Sequence, residues 1–358
     1  MASPAFLLSR ISLQFDHVSK DLINNISACV LSPENYLWLG SDELATIERL
    51  SSLESYQYGN HQSFAIADFI DLPNSKTEVD IEGIDYSNYY LWFTGSHSPK
   101  RKATKGKNAE KDVRHLMDIT TEPNRYTIAR IPVIDGALFK SCDHPQKPKK
   151  QLTAAALERT DSGNILIDAL QQDEHLGAFV ANTLPSKENG FDIEGLAVHG
   201  NTIFLGLRGP VLRGWAIILE LEVEEAHAGI LTLKRFRKTD RVYKKYFVNL
   251  DGLGIRELCL CGEDLLILAG PTMDLVGTNR IFRLKHILDE GNDTLFDQDG
   301  KRLEPLFDLP YNASADKAEG LALISCLGQA SALLVLYDEP DAQRLLKPDT
   351  VLVDVFKL

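Results

Sequence analysis

The sequence is short of the features that mark the commonest specialised classes. No uninterrupted apolar run approaches the ~18 residues that a bilayer span needs. Residues 1–15 carry only a brief apolar patch at Phe6, Leu7 and Leu8, closed by Arg10 and Asp16, without the charged-then-apolar layout of a secretory signal. The expectation is a cytoplasmic protein with no membrane partner. Positive charge is scarce: 38 Lys and Arg face 51 Asp and Glu, a net charge of -13. A sequence-independent nucleic-acid binder needs many cations to displace counterions, so nucleic acid is a poor partner. Cysteine is scarce as well, five residues without zinc-type spacing. Cys29, Cys259, Cys261 and Cys326 sit in apolar strand-like runs, where cysteine packs as a small hydrophobe. A Walker-type phosphate loop, a dinucleotide fingerprint, a serine nucleophile elbow and a zinc-protease helix are all missing. Any catalysis has to come from residues that the fold assembles from distant parts of the chain.

What is present is a repeat. Five segments share an isoleucine or small residue, a polar residue, a usually small residue and an apolar run: Asn25-Ile26-Ser27-Ala28, Asp80-Ile81-Glu82-Gly83, Asp192-Ile193-Glu194-Gly195, Gly254-Ile255-Arg256-Glu257 and Lys317-Ala318-Glu319-Gly320. After each comes a second short apolar strand, such as Tyr36-Leu37-Trp38-Leu39-Gly40 or Tyr90-Leu91-Trp92-Phe93-Thr94. A recurring supersecondary unit decides the fold before any local reading does. Third strands are expected at 126–133, 215–223, 280–284 and 351–356, and fourth strands at 64–70, 231–236 and 303–309. The last copy supplies three strands and the segment 5–15 a lone one, so the two termini together complete a sheet and remove exposed edges. The expected fold is one all-β domain over 1–358, a five-bladed β-propeller closed by pairing of its N- and C-terminal strands.

Spacings between the polar positions are 55, 112, 62 and 63. The long gap holds either a sixth blade or insertions. Insertions are preferred, because a basic loop at 99–122 and a stretch at 151–185 do not read as strands. In the second, Leu157, Ile165, Leu166, Leu170 and Leu176 suit helix. Both leave on the side where the inner strands begin, as loops on a rigid scaffold that carries function often do.

The same side gathers the candidate site. Ser27, Glu82, Glu194, Arg256 and Glu319 face the central channel, and crowded carboxylates there repel unless they share a cation or hold protons. Two readings stay open: a calcium or other divalent ion held by Ser27, Glu82, Glu194 and Glu319, or glutamates capping backbone amides with Arg256 as internal counterion. A slip of one residue would put Glu257 in place of Arg256. Around the ring lie His97, a candidate general acid or base, with Asp42 and Asp338. Lys187, Arg208, Arg213 and Arg256 are candidates to grip a small anionic ligand. The basic run Lys100, Arg101, Lys102, Lys105, Lys107, Lys111 and Arg114 either attracts an anion or is a solvated loop.

The run from Ser186 through Asp192-Ile193-Glu194-Gly195-Leu196-Ala197, followed by Leu207-Arg208-Gly209-Pro210-Val211-Leu212-Arg213-Gly214-Trp215, looks like the signature of an uncharacterised bacterial domain-of-unknown-function family. That resemblance covers most of the chain and implies no activity. More distantly, the Glu-Gly-Leu repeats are similar to those of esterase-like phytase propellers. Their one-per-blade order resembles calcium-activated apyrases. The apyrase resemblance implies five blades and a central calcium held in the order Ser, Glu, Glu, Ser, Glu. Ser27, Glu82, Glu194 and Glu319 match four places, and Arg256 departs from the other. Two functions follow as expectations: a phosphate-ester or carboxylic-ester hydrolase whose catalytic residues are His97, Glu194 and Arg208, or a non-catalytic propeller whose rim docks a protein or ligand.

Overall fold

In the computed structural model, which describes residues 3–16, 20–104, 106–182, 184–236, 241–273, 275, 277–310 and 316–358, each repeated segment becomes a strand: Ile26–Leu31, Ile81–Ser87, Asp192–His199, Gly254–Cys261 and Lys317–Cys326. Each packs against the next, and the fifth returns to the first, so the inner strands form a closed ring. Each then pairs antiparallel with the strand after it: Tyr36–Ser41, Tyr90–Gly95, Thr202–Gly209, Asp264–Gly270 and Gln329–Asp338. Third strands Thr46–Glu54, Ile128–Ile134, Trp215–His227, Arg280–Leu284 and Thr350–Lys357 continue outward. The fold is mostly β and propeller-like.

Side-chain alternation along the second strands explains how the sheets stack. Leu91 and Phe93 point to the first sheet while Tyr90 and Trp92 point to the third. Leu265 and Ile267 likewise join one core, and Leu266 and Leu268 the opposite one. Five apolar clusters result, one between each pair of neighbouring sheets. Strands buried on both faces need near-continuous apolar sequence, which is why Leu37-Trp38-Leu39 and Leu265 to Ala269 carry no polar residue. Truncating a fully buried Trp38 or Phe204 to alanine would cost about 3–5 kcal/mol.

The termini meet as the sequence implies. Leu7–Gln14 pairs antiparallel with Thr350–Lys357. It also pairs in parallel with Gln57–Ala65 through Ser12 and Leu13, and Ser3–Pro4 pairs with Phe307 and Asp308. The N-terminal segment therefore ties three sheets together.

Two expected strands are corrected. The strand expected at 64–70 is Gln57–Ala65, followed by a 3-10 turn at Ile66–Asp68; its polar run of Gln57, Asn60, His61 and Gln62 hides an outer strand. The segment 231–236 is not the fourth strand of its sheet. Trp215–His227 overruns that sheet and folds back as a hairpin whose return strand, Ile230–Leu233, docks in parallel on Ala155–Leu157 of the neighbouring sheet. Tyr243–Asn249 pairs with Trp215–His227 instead.

The insertions also differ in detail. Residues 99–122 are not a plain loop: Lys100–Arg101 pairs with Ile119–Thr120, and the helix Ala109–His115 lies between them. Lys105 lies outside the described residues. The stretch 151–185 begins as strand, with Leu157 in Ala155–Leu157, and becomes helical only at Ile165–Leu170 and Gly177–Ala181. Leu166, Ile167 and Leu170 bury one face of that first helix on the core around Trp92 and Leu205. All five cysteines are free, and among the described residues no helix is long and apolar enough to cross a membrane.

Candidate functional site

A β-bulge falls at the polar residue of every inner strand. Ile81 pairs with Gly95 and Gly83 with Thr94, leaving Glu82 without a partner. Ser27, Glu194 and Arg256 are skipped in the same way. In the last strand Glu319 and Gly320 together face Leu336. A bulge bends the strand and re-aims the extra side chain, so one residue per strand leaves the sheet alternation and turns to the channel. The small residue that follows is required by the ring's tightness. A Cβ on Gly83 would lie 2.5 Å from Leu196 Cβ, and one on Gly195 2.8 Å from Leu258 Cγ. The fourth strand carries Glu257 there instead. Its Oε1 accepts from the Leu196 amide at 3.0 Å and the Leu258 amide at 2.8 Å, which leaves Arg256, not Glu257, in the channel.

Arg256 lies between two of the acidic residues: Nε is 3.0 Å from Glu194 Oε2, and Nη2 donates to Glu319 Oε1. Arg208 approaches Glu194 from the other side, with Nη1 to Oε1 at 2.7 Å, and its Nε donates to the Thr272 carbonyl at 2.9 Å. Asp192 Oδ2 is 3.8 Å from Arg208 Nη1. A third guanidinium, Arg125, sits 2.6 Å from Asp80 and bonds Ser96 Oγ at 3.1 Å.

These three arginines pair with Asp80, Asp192, Glu194 and Glu319, while Asp42, Glu82 and Asp338 stand beside them without an arginine contact among the described residues, Asp338 being 4.0 Å from Lys317 Nζ. The imbalance sets the protonation. Burial, reinforced by Asp80 and Asp338, pushes Asp42 up to about 8. Burial and Glu194 push Asp192 to about 8 despite Arg208, and burial takes Asp338 to about 6. Glu82 rises well above the carboxylate range through burial, Asp80 and Glu194. Glu319 does so through burial, against the pull of Arg256. Near neutral pH this mouth therefore holds carboxylic acids beside carboxylates, and Asp42, Asp192 and Asp338 lie where they can give or take a proton.

The sequence-derived residues divide accordingly. Glu82, Glu194, Arg208, Arg256 and Glu319 come together, with Asp42 and Asp338 beside them. Ser27 sits at its bulge, but its hydroxyl donates to the Ile81 carbonyl. His97 is buried away from the cluster: Nδ1 bonds the Gly95 carbonyl at 2.8 Å and Nε2 accepts from Asn164 Nδ2 at 2.8 Å. Burial lowers it to about 4, so it is neutral and holds Asn164, whose Oδ1 caps the helix Ile165–Leu170. Lys187 and Arg213 are exposed on turns. The anion grip expected of Lys187, Arg208, Arg213 and Arg256 is therefore not assembled, since two are on the surface and two are spent on carboxylates. Calcium does not suit the donor set either. Ser27 is engaged, Glu194 and Glu319 hold Arg256, and among the described residues no group of three or more His, Cys, Asp or Glu side chains is arranged to hold a metal ion.

Sequence reasoning passed over Asp80, Asp192 and Arg125. The first two carried a signal, since Asp-Ile-Glu-Gly occurs twice. Arg125 carried none, because it reaches the mouth from the end of the basic insertion through the turn Pro123–Tyr126.

A family model described as a protein of unknown function (DUF3616) matches residues 25–354. No curated protein matches the sequence. Among solved structures, virginiamycin B lyase from Staphylococcus aureus is similar at 10% identity and a TM-score of 0.40, covering 98% of this chain and 99% of that one. The PQQ-bound aldose sugar dehydrogenase of Streptomyces coelicolor is similar at 10% identity and a TM-score of 0.37, covering 98% of this chain and 99% of that one.

Proposed function

The chain belongs to the DUF3616 family of proteins of unknown function, and we propose that its acidic channel mouth is an acid–base site that hydrolyses a small uncharged carboxylic ester. The observation that carries this reading is the excess of buried and half-buried carboxyl groups over arginines, with Asp42 and Asp192 at about 8 and Asp338 at about 6. General acid–base catalysis works best with groups whose proton affinity lies near the working pH. A phosphate ester would bring further negative charge to a mouth already rich in it, whereas a neutral ester would not.

In this proposal Asp338 takes a proton from water as its oxygen adds to the ester carbonyl. Arg208 and Arg256 stabilise the oxyanion that develops through Nη2 of the first and Nη1 of the second, the nitrogens not engaged with Glu194, Glu319 or the Thr272 carbonyl. Asp42 or Asp192 gives a proton to the departing alkoxide, so that carboxylic acid and alcohol leave, and exchange with solvent water then carries the proton from Asp338 back to the depleted carboxylate. Glu194 positions both guanidinium groups. Calcium, which the apyrase resemblance implies, has no part; Arg256 stands where a divalent ion would neutralise the carboxylates. The same reading takes the body as five blades, supported by the ring of five inner strands and the five inter-sheet cores.

The test is a panel of neutral nitrophenyl esters and nitrophenyl phosphate with wild type, Glu194→Gln and Arg208→Ala. Ester turnover that falls at least about 100-fold in both variants supports the proposal; preference for the phosphate, or turnover indifferent to both substitutions, overturns it. A second reading, a docking rim, is favoured by the apolar Val113 and Met117, 61% and 70% exposed on the helical insertion. Under that reading no ester is turned over, and the Val113→Ser/Met117→Ser double substitution abolishes partner capture.

A further inference from the structure

The channel has a second end. Where the inner strands finish, a cavity of ≈ 780 Å³ opens between Ile26–Leu31, Ile81–Ser87, Gly254–Cys261 and Lys317–Cys326, with the hairpin tip 52–58 as its outer lip. It is the opposite mouth from the acidic site, and its size falls within the roughly 300–1,000 Å³ of small-molecule sites. A ligand here would be independent of ester turnover at the other mouth.

The lining has a one-sided chemistry. Ile84, Leu258, Leu321 and Leu323 give it an apolar wall, and Tyr56, Tyr58 and Tyr86 contribute aromatic rings. It contains Glu54 and Asp85 and no lysine, arginine or histidine. Asp85 is fixed in the wall, accepting from the Tyr86 amide at 2.7 Å and the Val198 amide at 2.6 Å. Glu54 is exposed at the lip and forms no ion pair among the described residues. One further observation points to a ligand. Ser32 Oγ, in a residue only 3% exposed, lines the cavity without a hydrogen-bond partner among the described residues. Tyr56 and Leu327, in the turns of two hairpins, stand at the rim 40% and 61% exposed.

We propose that this far mouth binds an organic amine with an apolar body. The ammonium group sits at the lip between Glu54 and the faces of Tyr56 and Tyr86, where carboxylate attraction and cation–π attraction add. The apolar body lies against Leu258, Leu321 and Leu323 and removes that surface from water. An anion of the same shape finds no countercharge and faces Glu54 and Asp85.

Calorimetric titration of the wild-type protein with phenylbutylamine, phenylbutanol and phenylbutyrate tests this. The amine is expected to bind at least about tenfold more tightly than the alcohol, a gap of about 1.4 kcal/mol, and the carboxylate not measurably. Bound amine should slow alkylation of Cys259, which lines the cavity. Glu54→Gln, on an exposed hairpin, should reduce the amine to the alcohol's affinity. Binding of the carboxylate as tight as the amine's, amine binding that leaves Cys259 alkylation unchanged, or failure of all three compounds to bind overturns the proposal.

Discussion

The acidic mouth and the seam that joins the two termini are both clusters of buried charge, built to opposite balances. At the seam Asp354 is 2% exposed and served by Arg344 Nη2 at 2.7 Å, Arg10 Nε at 3.0 Å and the Tyr337 hydroxyl at 2.9 Å. Burial alone would raise it, but Arg344, Tyr337 and Arg10 outweigh that and lower it. Cations there match the carboxylate, and the group is a fastener for the closing strands Leu7–Gln14 and Thr350–Lys357. At the mouth seven carboxyls share three arginines and, at Asp338, the more distant Lys317, and most are raised. A balanced cluster holds the fold together; one left deliberately short of cations costs stability and yields groups that titrate near neutrality.

The largest effect expected from that contrast is at the seam. Asp354→Asn leaves Arg344 with Asp316 alone, 2.7 Å from its Nε, takes from Arg10 its carboxylate, and should cost about 3 kcal/mol or more in chemical denaturation; a loss below about 1 kcal/mol would mean that the seam charges are incidental. Next is Arg256→Gln. Glu194 and Glu319 lose their shared guanidinium, at a cost of about 3 kcal/mol that shrinks in acid as the carboxyls protonate. The variant, unlike wild type, should gain thermal stability from added calcium.

Asp192→Asn should act in the other direction. Its folded-state value of about 8, against 3.8 ordinarily, means that the folded protein keeps a proton that the unfolded chain releases. Wild-type stability therefore falls as pH rises from about 4 to about 8. The asparagine variant escapes that fall, so it should be more stable by at least about 1 kcal/mol near pH 8.5 and the advantage should vanish near pH 4. Melting temperatures across that range check the sign. The smallest effect is His97→Asn, with about 1 kcal/mol lost and no change in the pH profile of ester turnover.

Much of the ring was legible because one polar residue recurs before each apolar run, and the inner strands follow from that alone. The bulges were not legible, since they depend on pairing with a second strand, yet they explain why Glu82, Glu194 and Arg256 leave the alternation. Arg125 was hidden because it enters from an insertion with no repeat. The displaced fourth strand was hidden because nothing local tells Leu231 and Leu233 that their hairpin overruns one sheet to reach Ala156 on another. His97 illustrates the opposite error. Its position after a second strand matched the site's side, but two hydrogen bonds and burial turn it into a structural pin.

The account stands on carboxylic acids that keep their protons in a folded protein at neutral pH. Infrared spectroscopy of the carboxyl stretch near pH 7, comparing wild type with Asp42→Asn and Asp192→Asn, reads this directly. Protonated carboxyl absorption present in wild type and reduced in each variant is the predicted result. A spectrum of fully ionised carboxylates in wild type would contradict it.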